Sequence, residues 1–311
     1  MPTLRAKLEF LAFPFLVITF TTLVFGFYIY TALTVDHLEA LQPYMDWTAA
    51  RPFVYRVFTT VAIQIVASVF FLSPEASSLV VSFLSLLGFA WAFWYLAIRF
   101  VPEQRAQQLT LAAPLALCPF FLVQRHIYDF PTLLLFTLAL ALLAHEKMGW
   151  YLVVLVLASF CKETSALLIL FFAFHFRGRI KNYFRLLLAQ IFIFGMIRVG
   201  LMWTFRNNVG QDLEFHLQDH IYFYSTNPEF SLLLFGFVFF LVGAVIYRWN
   251  AKPKFLRDAV ITIALPLLVL FFFFGFPFEL RIFFEAFPVL VLLCVPPSWS
   301  AEQPNANVLT A

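Results

Sequence analysis

The sequence predicts an all-α integral membrane protein, a helical bundle of about ten transmembrane helices plus one external helix that lies along the membrane. Of its 311 residues, 63% are hydrophobic and only 12% are charged, and the mean hydropathy is +0.89. A water-soluble fold does not present so apolar a surface to solvent. Long apolar runs follow one another along the chain, and the loops between them hold most of the basic residues. Together these observations predict a polytopic membrane protein.

The apolar runs give the predicted helices in chain order, against the ~20 residues that a perpendicular span needs. The run from about Leu8 to Val35 exceeds the ~7–15 residues of a signal-peptide core and has no small-residue cleavage site, so we expect it to be the first span. The runs lie at about 9–33, 53–72, 79–98, 108–124, 131–145, 149–161, 165–176, 186–204, 230–247, 259–276 and 283–296.

The basic loops indicate that one of these eleven runs does not cross. If all crossed, with Arg5 and Lys7 in the cytoplasm, the basic loops 177–185 and 248–257 would lie outside, against the positive-inside tendency. The run 53–72 is the best candidate to stay outside. It follows Arg51 and contains Arg56, and an arginine within a span costs at least ~2.5 kcal/mol on insertion scales. With ten crossings, thirteen of the twenty basic residues become cytoplasmic, and Arg198 is left within a span.

Two short polar clusters bracket the centre of the chain. The first is 125–129 (Arg-His-Ile-Tyr-Asp) and the second is 162–164 (Lys-Glu-Thr). The segment between them is apolar except around residues 145–147, so it predicts two spans joined by a tight polar turn. Because two crossings return the chain to its starting side, we expect both clusters at one membrane face, close enough to form one site.

The residue types at this face suggest group transfer involving a phosphate. A carboxylate at the edge of a membrane cavity can act as general base towards a hydroxyl when burial raises its pKa, and arginine and lysine can hold a phosphate. The candidate catalytic residues are Asp36, Asp46 and Asp129. The candidate substrate-binding residues are Arg51, Arg56, Arg125, His126, Tyr128, Lys162, Glu163 and Arg281.

Structural roles remain open for several of these residues. Lys162 and Glu163 are also expected as a self-neutralising pair or as a helix cap, and Asp129 also suits a helix start with proline in the first turn. Arg281 is also expected in an internal ion pair with a neighbouring glutamate. His126, His216 and His220 lack a clear metal-ligand spacing, so no metal-binding residue is assigned. The three cysteines predict neither a disulfide framework nor a zinc site.

The motifs in residues 1–176 resemble the GT-C class of membrane glycosyltransferases. They are a first span followed by an acidic external loop with Asp36 and Asp46, the stretch 51–56 (Arg-Pro-Phe-Val-Tyr-Arg) opening an external helix, and the two clusters 125–129 and 162–164. The resemblance implies an acid of the first loop, Asp36 or Asp46, as base or metal-linked acid. It divides a single polytopic domain, 1–311, into a GT-C-like catalytic half (1–176), additional transmembrane helices (177–296) and a cytoplasmic tail (297–311). This chain departs from the family pattern because no Asp-Glu or Asp-Asp pair follows the first span, so both the catalytic assignment and a requirement for a divalent metal stay open.

The expected function is transfer of a sugar from a polyprenyl-phosphate donor to an extracytoplasmic glycan or lipid acceptor. The expected location is the bacterial inner membrane, with the active site on the extracytoplasmic face and roles in cell-envelope polysaccharide biosynthesis. Membrane lipid and a membrane protein are further expected partners, whereas the short basic loops give no support for nucleic-acid binding. Two rivals remain, a transporter or flippase of a lipid-linked or anionic substrate, and a non-catalytic assembly subunit.

Overall fold

The computed structural model describes residues 4–35, 41–121 and 125–296, with side chains for all of these except 4–11 and 32–35. Across these ranges the chain is helical, and the only β-type pairing is one isolated bridge between Arg51 and Gly210. The α-helices are α1 (Leu4–Val35), α2 (Gln42–Met45), α3 (Val57–Phe70), α4 (Pro74–Ala97), α5 (Glu103–Ala116), α6 (Asp129–Ala144), α7 (Met148–Cys161), α8 (Ala166–His175), α9 (Tyr183–Thr204), α10 (Leu217–Thr226), α11 (Pro228–Ile246), α12 (Lys254–Ala259), α13 (Leu265–Phe274) and α14 (Phe287–Cys294).

Helix α6 forms the centre of the bundle. All of its residues are buried except Leu134 and Leu138, and it packs against α4, α7 and the segment Leu280–Glu285. Gly88 of α4 faces Leu134, where an added Cβ would lie 3.1 Å from the leucine methyl carbons. The absence of a side chain at Gly88 therefore lets α4 and α6 approach closely.

Within the residues that the structure describes, five helical segments are long and apolar enough to cross a membrane. They are Ala12–Thr31, Pro74–Ala97, Tyr183–Thr204, Pro228–Ile246 and Lys254–Phe274. In the last segment a π-helical stretch, Val260–Ala264, joins α12 to α13. Half of α4 is buried, compared with 11% of α9 and of α11. The exposed surfaces of α9 and α11 are apolar, as expected for helices that face lipid.

The predicted all-helical architecture is confirmed for the described residues, and their candidate spans agree with a helical membrane protein. The number of ten spans stays a prediction. The run 53–72 forms α3, which has 14 residues, and its external position also stays a prediction. The run 108–124 is not one helix: α5 ends at Ala116 and a 3-10 turn follows at Cys118–Phe121. Pro119 explains the break, because it has no N–H to donate to the carbonyl of Leu115 and its ring disfavours helix at Cys118.

The helices beside the two polar clusters are short. Helices α6, α7 and α8 have 16, 14 and 10 residues, which at ~1.5 Å per residue makes them about 24, 21 and 15 Å long. A bilayer core is ~30 Å thick. The charged residues at 129 and 162–163 therefore lie at the ends of helices that are shorter than the membrane.

Candidate functional site

A cluster of ionisable side chains lies at one end of the bundle, where α3 and α6 begin and α7 ends. Five segments that are distant in sequence contribute to it, and its four basic and four acidic groups balance in formal charge. We call this group the charged cluster. It comprises Arg56, Asp129, Lys162, Glu163, Arg198, Glu279, Arg281 and Glu285.

Lys162 and Glu163 do not pair with each other, although such a pair was one of the structural roles left open by the sequence. Lys162 Nζ lies 2.8 Å from Glu285 Oε1, and the same oxygen accepts a hydrogen bond from the Thr164 hydroxyl. Lys162 has an extended backbone, with φ −158° and ψ 147°, and in extended chain successive side chains point to opposite sides. Lys162 therefore points towards the buried Glu285, and Glu163 points away from it.

Glu163 lies between two arginines. Its Oε1 accepts a hydrogen bond of 3.1 Å from Arg56 Nη2, and its Oε2 lies 3.9 Å from Arg198 Nη2. The Arg56 guanidinium also lies over the ring of Tyr128, 3.9 Å from its centroid, and 5.0 Å from that of Phe53. These rings hold the orientation of the Arg56 guanidinium by cation–π contact.

Asp129 forms an ion pair with Arg281, and both of its carboxylate oxygens have partners. Its Oδ1 lies 2.9 Å from Arg281 Nη1, and its Oδ2 accepts a hydrogen bond of 2.8 Å from the His126 backbone N–H. Glu279 also pairs with Arg281, so the internal ion pair considered from the sequence is present. Asp129 is the first residue of α6, as the helix-start interpretation expected. Both of its oxygens are engaged, so it orients Arg281.

The other predicted residues of 125–129 are divided between two places. The His126 ring stacks on Phe53, at 5.6 Å, and on Tyr128, at 5.0 Å, so His126 and Tyr128 line the charged cluster. Arg125 is also buried, but its Nε donates to the Phe121 carbonyl at 2.7 Å and its guanidinium lies 5.2 Å from the Tyr28 ring. None of the contacts formed by Arg125 joins it to the charged cluster in the described part of the chain.

Arg51 joins two loops beside the charged cluster. Its N–H donates to the Val209 carbonyl at 2.8 Å, its Nη2 donates to the Gly210 carbonyl at 2.7 Å, and its Nη1 lies 3.8 Å from Asp212 Oδ2. Gly210 has φ +97°, and an added Cβ would lie 2.7 Å from the Arg51 carbonyl oxygen. Glycine therefore permits this close approach. The substrate-binding role of Arg51 stays a prediction.

Tyr55 strengthens the same junction. Its hydroxyl donates to Asp212 Oδ1 at 2.6 Å. Burial, together with the neighbouring Asp212 carboxylate, raises the pKa of Tyr55 above its ordinary value, so the phenol stays protonated and continues to donate. Asn208 completes the junction by donating to the Trp47 and Ala49 carbonyls.

The two predicted acids of the first loop lie outside the charged cluster or outside the described residues. Asp46 follows α2, is exposed, and accepts a hydrogen bond of 2.8 Å from Gln42 Nε2. Asp36 lies outside the described residues, as does the tail 297–311. The structure therefore brings together Arg56, His126, Tyr128, Asp129, Lys162, Glu163 and Arg281, and leaves Asp46, Arg51 and Arg125 at their own contacts.

A small cleft opens beside Lys162. Polar groups of Thr132, Cys161, Thr164 and Ser165 line it together with Leu135, Phe136 and Ala158, and its empty volume is about 160 Å³. No part of this space has room for a water-sized molecule, whereas small-molecule pockets usually measure ~300–1,000 Å³, so a phosphosugar would enter only with side-chain movement. Within the described ranges no group of three or more His, Cys, Asp and Glu side chains is placed to hold a metal ion, and the three cysteines are free thiols.

Arg198, Glu279 and Glu285 are the members of the charged cluster that sequence reasoning did not assign to the site. Arg198 carried a usable signal, because an arginine within an apolar helix is costly unless a partner compensates it. Glu285 gave a weaker signal, since its burial depends on how the segment 280–285 packs on α6. No family model, curated protein or solved structure matches this chain.

Proposed function

We propose that this protein is a membrane glycosyltransferase that moves a sugar from a polyprenyl-phosphate donor to a glycan or lipid acceptor at the extracytoplasmic face. The observation that carries the proposal is the convergence of four basic side chains, from four distant segments, beside the ends of the short apolar helices α6 and α7. A lipid phosphate lies at the same level as such groups while its tail remains in the membrane. Buried charges of this kind are usually functional.

The reaction is a displacement at the anomeric carbon. The acceptor oxygen bonds to that carbon while its bond to the phosphate oxygen breaks, and the bonding electrons leave with the phosphate. The proton of the acceptor hydroxyl passes to a carboxylate acting as general base. We assign the base to Asp36 or Asp46, because both oxygens of Asp129 are already engaged.

The basic groups stabilise the phosphate that leaves. Arg56 and Lys162 belong to the charged cluster and supply positive charge as negative charge develops on the phosphate. Arg281 is held by Asp129 and Glu279, so its role is to position Tyr128 and the start of α6. In this proposal Arg125 contributes to packing beside Tyr28, and membrane lipid surrounds the exposed faces of α9 and α11.

The proposal is tested with the full-length protein in proteoliposomes and a panel of polyprenyl-phosphate hexoses carrying labelled sugars. We expect release of polyprenyl phosphate and transfer of label to an acceptor. Arg56→Gln should reduce transfer about 100-fold or more, as removal of one group that stabilises developing charge does in other enzymes. Arg206→Gln is the matched control, because Arg206 is exposed and contacts Trp203, outside the charged cluster. Equal transfer by the Arg56 and Arg206 variants would contradict the assignment.

The base is tested in the same assay with Asp36→Asn, Asp46→Asn and the double variant. One single variant should lose transfer while its unfolding temperature stays that of the wild type. Full activity of the double variant would refute a base in the first loop. Movement of intact labelled donor across the membrane, with no release of polyprenyl phosphate, would support the transporter or flippase instead.

The sidedness of the site is tested with single cysteines at positions 46, 75 and 162 after replacement of the native cysteines. A membrane-impermeant thiol reagent applied to intact cells should label all three if the α3 helix stays outside and the site faces out. Labelling of 46 and 162 from opposite sides would separate the first-loop carboxylate from the charged cluster and refute the proposal.

A further inference from the structure

Arg56 and Arg198 form a pair of guanidinium groups around one carboxylate. Glu163 contacts both, at 3.1 Å and 3.9 Å. The Arg56 side chain is 7% exposed and that of Arg198 13%, whereas that of Glu163 is 38% exposed. The two cations are thus fixed in the protein interior, and Glu163 is the most exposed of the three side chains, although its Oε2 is buried.

The carboxylate leaves part of the hydrogen-bonding capacity of this pair unused. Arg56 Nε, Arg56 Nη1 and Arg198 Nη1 are buried without a hydrogen-bond partner. A buried donor without a partner costs ~1–3 kcal/mol. Glu163 Oε2 is likewise buried without a hydrogen-bond partner, so the carboxylate serves only part of the donor capacity of the pair, and an anion with three acceptor oxygens offers these donors more partners.

A phosphate monoester has the required chemistry. It presents three acceptor oxygens and carries between about −1.5 and −2 charge at neutral pH, because its second pKa is ~6. Arginine forks bind such oxygens in pairs. A phosphodiester, the form found in common phospholipids, carries a single negative charge, so the two guanidinium groups attract it less strongly.

We propose that Glu163 is an internal competitor that a lipid phosphate must displace from the Arg56–Arg198 clamp, so that phosphodiester headgroups of the surrounding membrane bind too weakly to occupy it. This inference rests on the proposed function and deepens it by naming the anion-binding residues and the charge that they select. Glu163 lowers the affinity for every anion, and the clamp itself prefers the dianion. The combination leaves the clamp free until a phosphate monoester forms or arrives.

This preference matches the charge change during transfer. The donor phosphodiester carries one negative charge, and the polyprenyl phosphate released when its anomeric bond breaks is a monoester with two at a pH above ~6. A clamp that binds the dianion more tightly than the monoanion stabilises the leaving group more than the substrate. Such differential binding is what accelerates a chemical step.

The test uses the full-length protein in maltoside micelles and two short probes, dodecyl phosphate and its methyl ester, methyl dodecyl phosphate. Binding is measured by titration calorimetry. The wild type should prefer the monoester by about tenfold at about pH 8 and lose this preference at about pH 5, where the monoester holds a proton and carries one charge. Equal affinities at the higher pH would overturn the proposal. Inorganic phosphate binding as tightly as dodecyl phosphate would overturn the assignment to a lipid.

The variants separate the competitor from the clamp. Glu163→Gln should tighten binding of both probes by about tenfold, because a charged competitor for the guanidinium hydrogen bonds is lost. Arg198→Gln should weaken dodecyl phosphate by about tenfold and reduce the preference, because one of two charge-assisted contacts is lost. Arg206→Gln should match the wild type. Unchanged affinities in Glu163→Gln would overturn the role of competitor.

A second variant covers the case in which Glu163→Gln does not fold. Glu163→Asp keeps the charge but withdraws the carboxylate from Arg56, so it should bind both probes about threefold more tightly, as a weakened charge-assisted hydrogen bond predicts. No gain in this variant would overturn the proposal. If the probe preferences behave as expected but no sugar is transferred, the clamp stands and the glycosyltransferase proposal fails.

Discussion

The two ends of helix α8 carry ionic clusters of similar residue types that differ in completeness. At its beginning lies the charged cluster, with unpartnered buried atoms on Arg56, Glu163, Arg198, Arg281 and Glu285. At its end lies a second group, the histidine cluster, formed by His175, Arg179, Lys254 and Asp258. His175 Nδ1 lies 2.7 Å from Asp258 Oδ2, Lys254 Nζ lies 2.9 Å from the same oxygen, and Arg179 Nη1 lies 3.1 Å from His175 Nε2.

This difference separates a structural network from a candidate binding site. The buried side-chain nitrogens and oxygens of the histidine cluster all have partners in the described structure, and the cluster joins the end of α8 to α12. A fully satisfied network fixes one packing arrangement. The charged cluster retains unused donors and acceptors, which is the condition for binding something else. We therefore expect mutations in the charged cluster to affect phosphate binding, and mutations in the histidine cluster to affect stability alone.

The largest expected effect is that of Lys162→Met. This change leaves Glu285, which is fully buried, without a cation, and loss of one partner of a buried pair costs ~3–5 kcal/mol. Thermal unfolding in detergent should show the loss. The double variant Lys162→Met/Glu285→Gln should recover most of the stability because no unpaired charge remains. Equal stability of the single variant and the wild type would show that the pair is not buried from water.

A smaller effect is expected at the other end of α8, from Asp258→Asn. The asparagine keeps one oxygen acceptor but loses the negative charge, and a hydrogen bond to a charged group contributes ~1.5–3 kcal/mol. Unfolding should be easier by about that amount, while binding of dodecyl phosphate stays that of the wild type. A change in phosphate affinity would contradict the separation of the two clusters.

The smallest expected effect is that of Tyr55→Phe, beside the charged cluster. It removes the hydroxyl that donates to Asp212, and such a hydrogen bond is worth ~0.5–1.5 kcal/mol. The junction between the loop before α3 and the loop after α9 should exchange backbone amide protons faster, with global stability little changed. Unchanged exchange at residues 208–212 would show that Arg51 and Asn208 suffice to hold the junction.

The positions of the helices could be predicted from sequence because apolar runs and their polar boundaries report burial in a membrane directly. The break at Ala116 was missed, although Pro119 was its local signal. Membership of Arg56, Asp129, Lys162 and Arg281 in one cluster was also accessible, because charged residues beside apolar runs are few. The pairing within the cluster was not accessible, since it depends on the extended backbone at Lys162 and on the packing of Glu285 against α6.

Arg198 shows the limit of reasoning from topology alone. When the basic residues are assigned to the two sides of the membrane, Arg198 belongs to neither side, because it lies within a predicted span. Such an assignment gives no information about the partner of Arg198. In the structure Arg198 faces Glu163 and is therefore part of the candidate site. The roles of Asp36 and Asp46 stay predictions.

The shortness of α7 has a consequence for the lipid around the protein. This helix presents Trp150, Val153 and Leu157 outward, yet its ~21 Å length is less than the ~30 Å of a bilayer core. If a membrane covers these side chains and leaves Lys162 uncovered, we expect it to be thinner at α7 than elsewhere, which is one way in which a bilayer accommodates a short hydrophobic helix. Lipid headgroups of one leaflet then descend to the level of the charged cluster. In our proposal a lipid phosphate would reach the clamp by lateral diffusion, without lifting its tail from the hydrocarbon, and bilayers with longer acyl chains would oppose this approach.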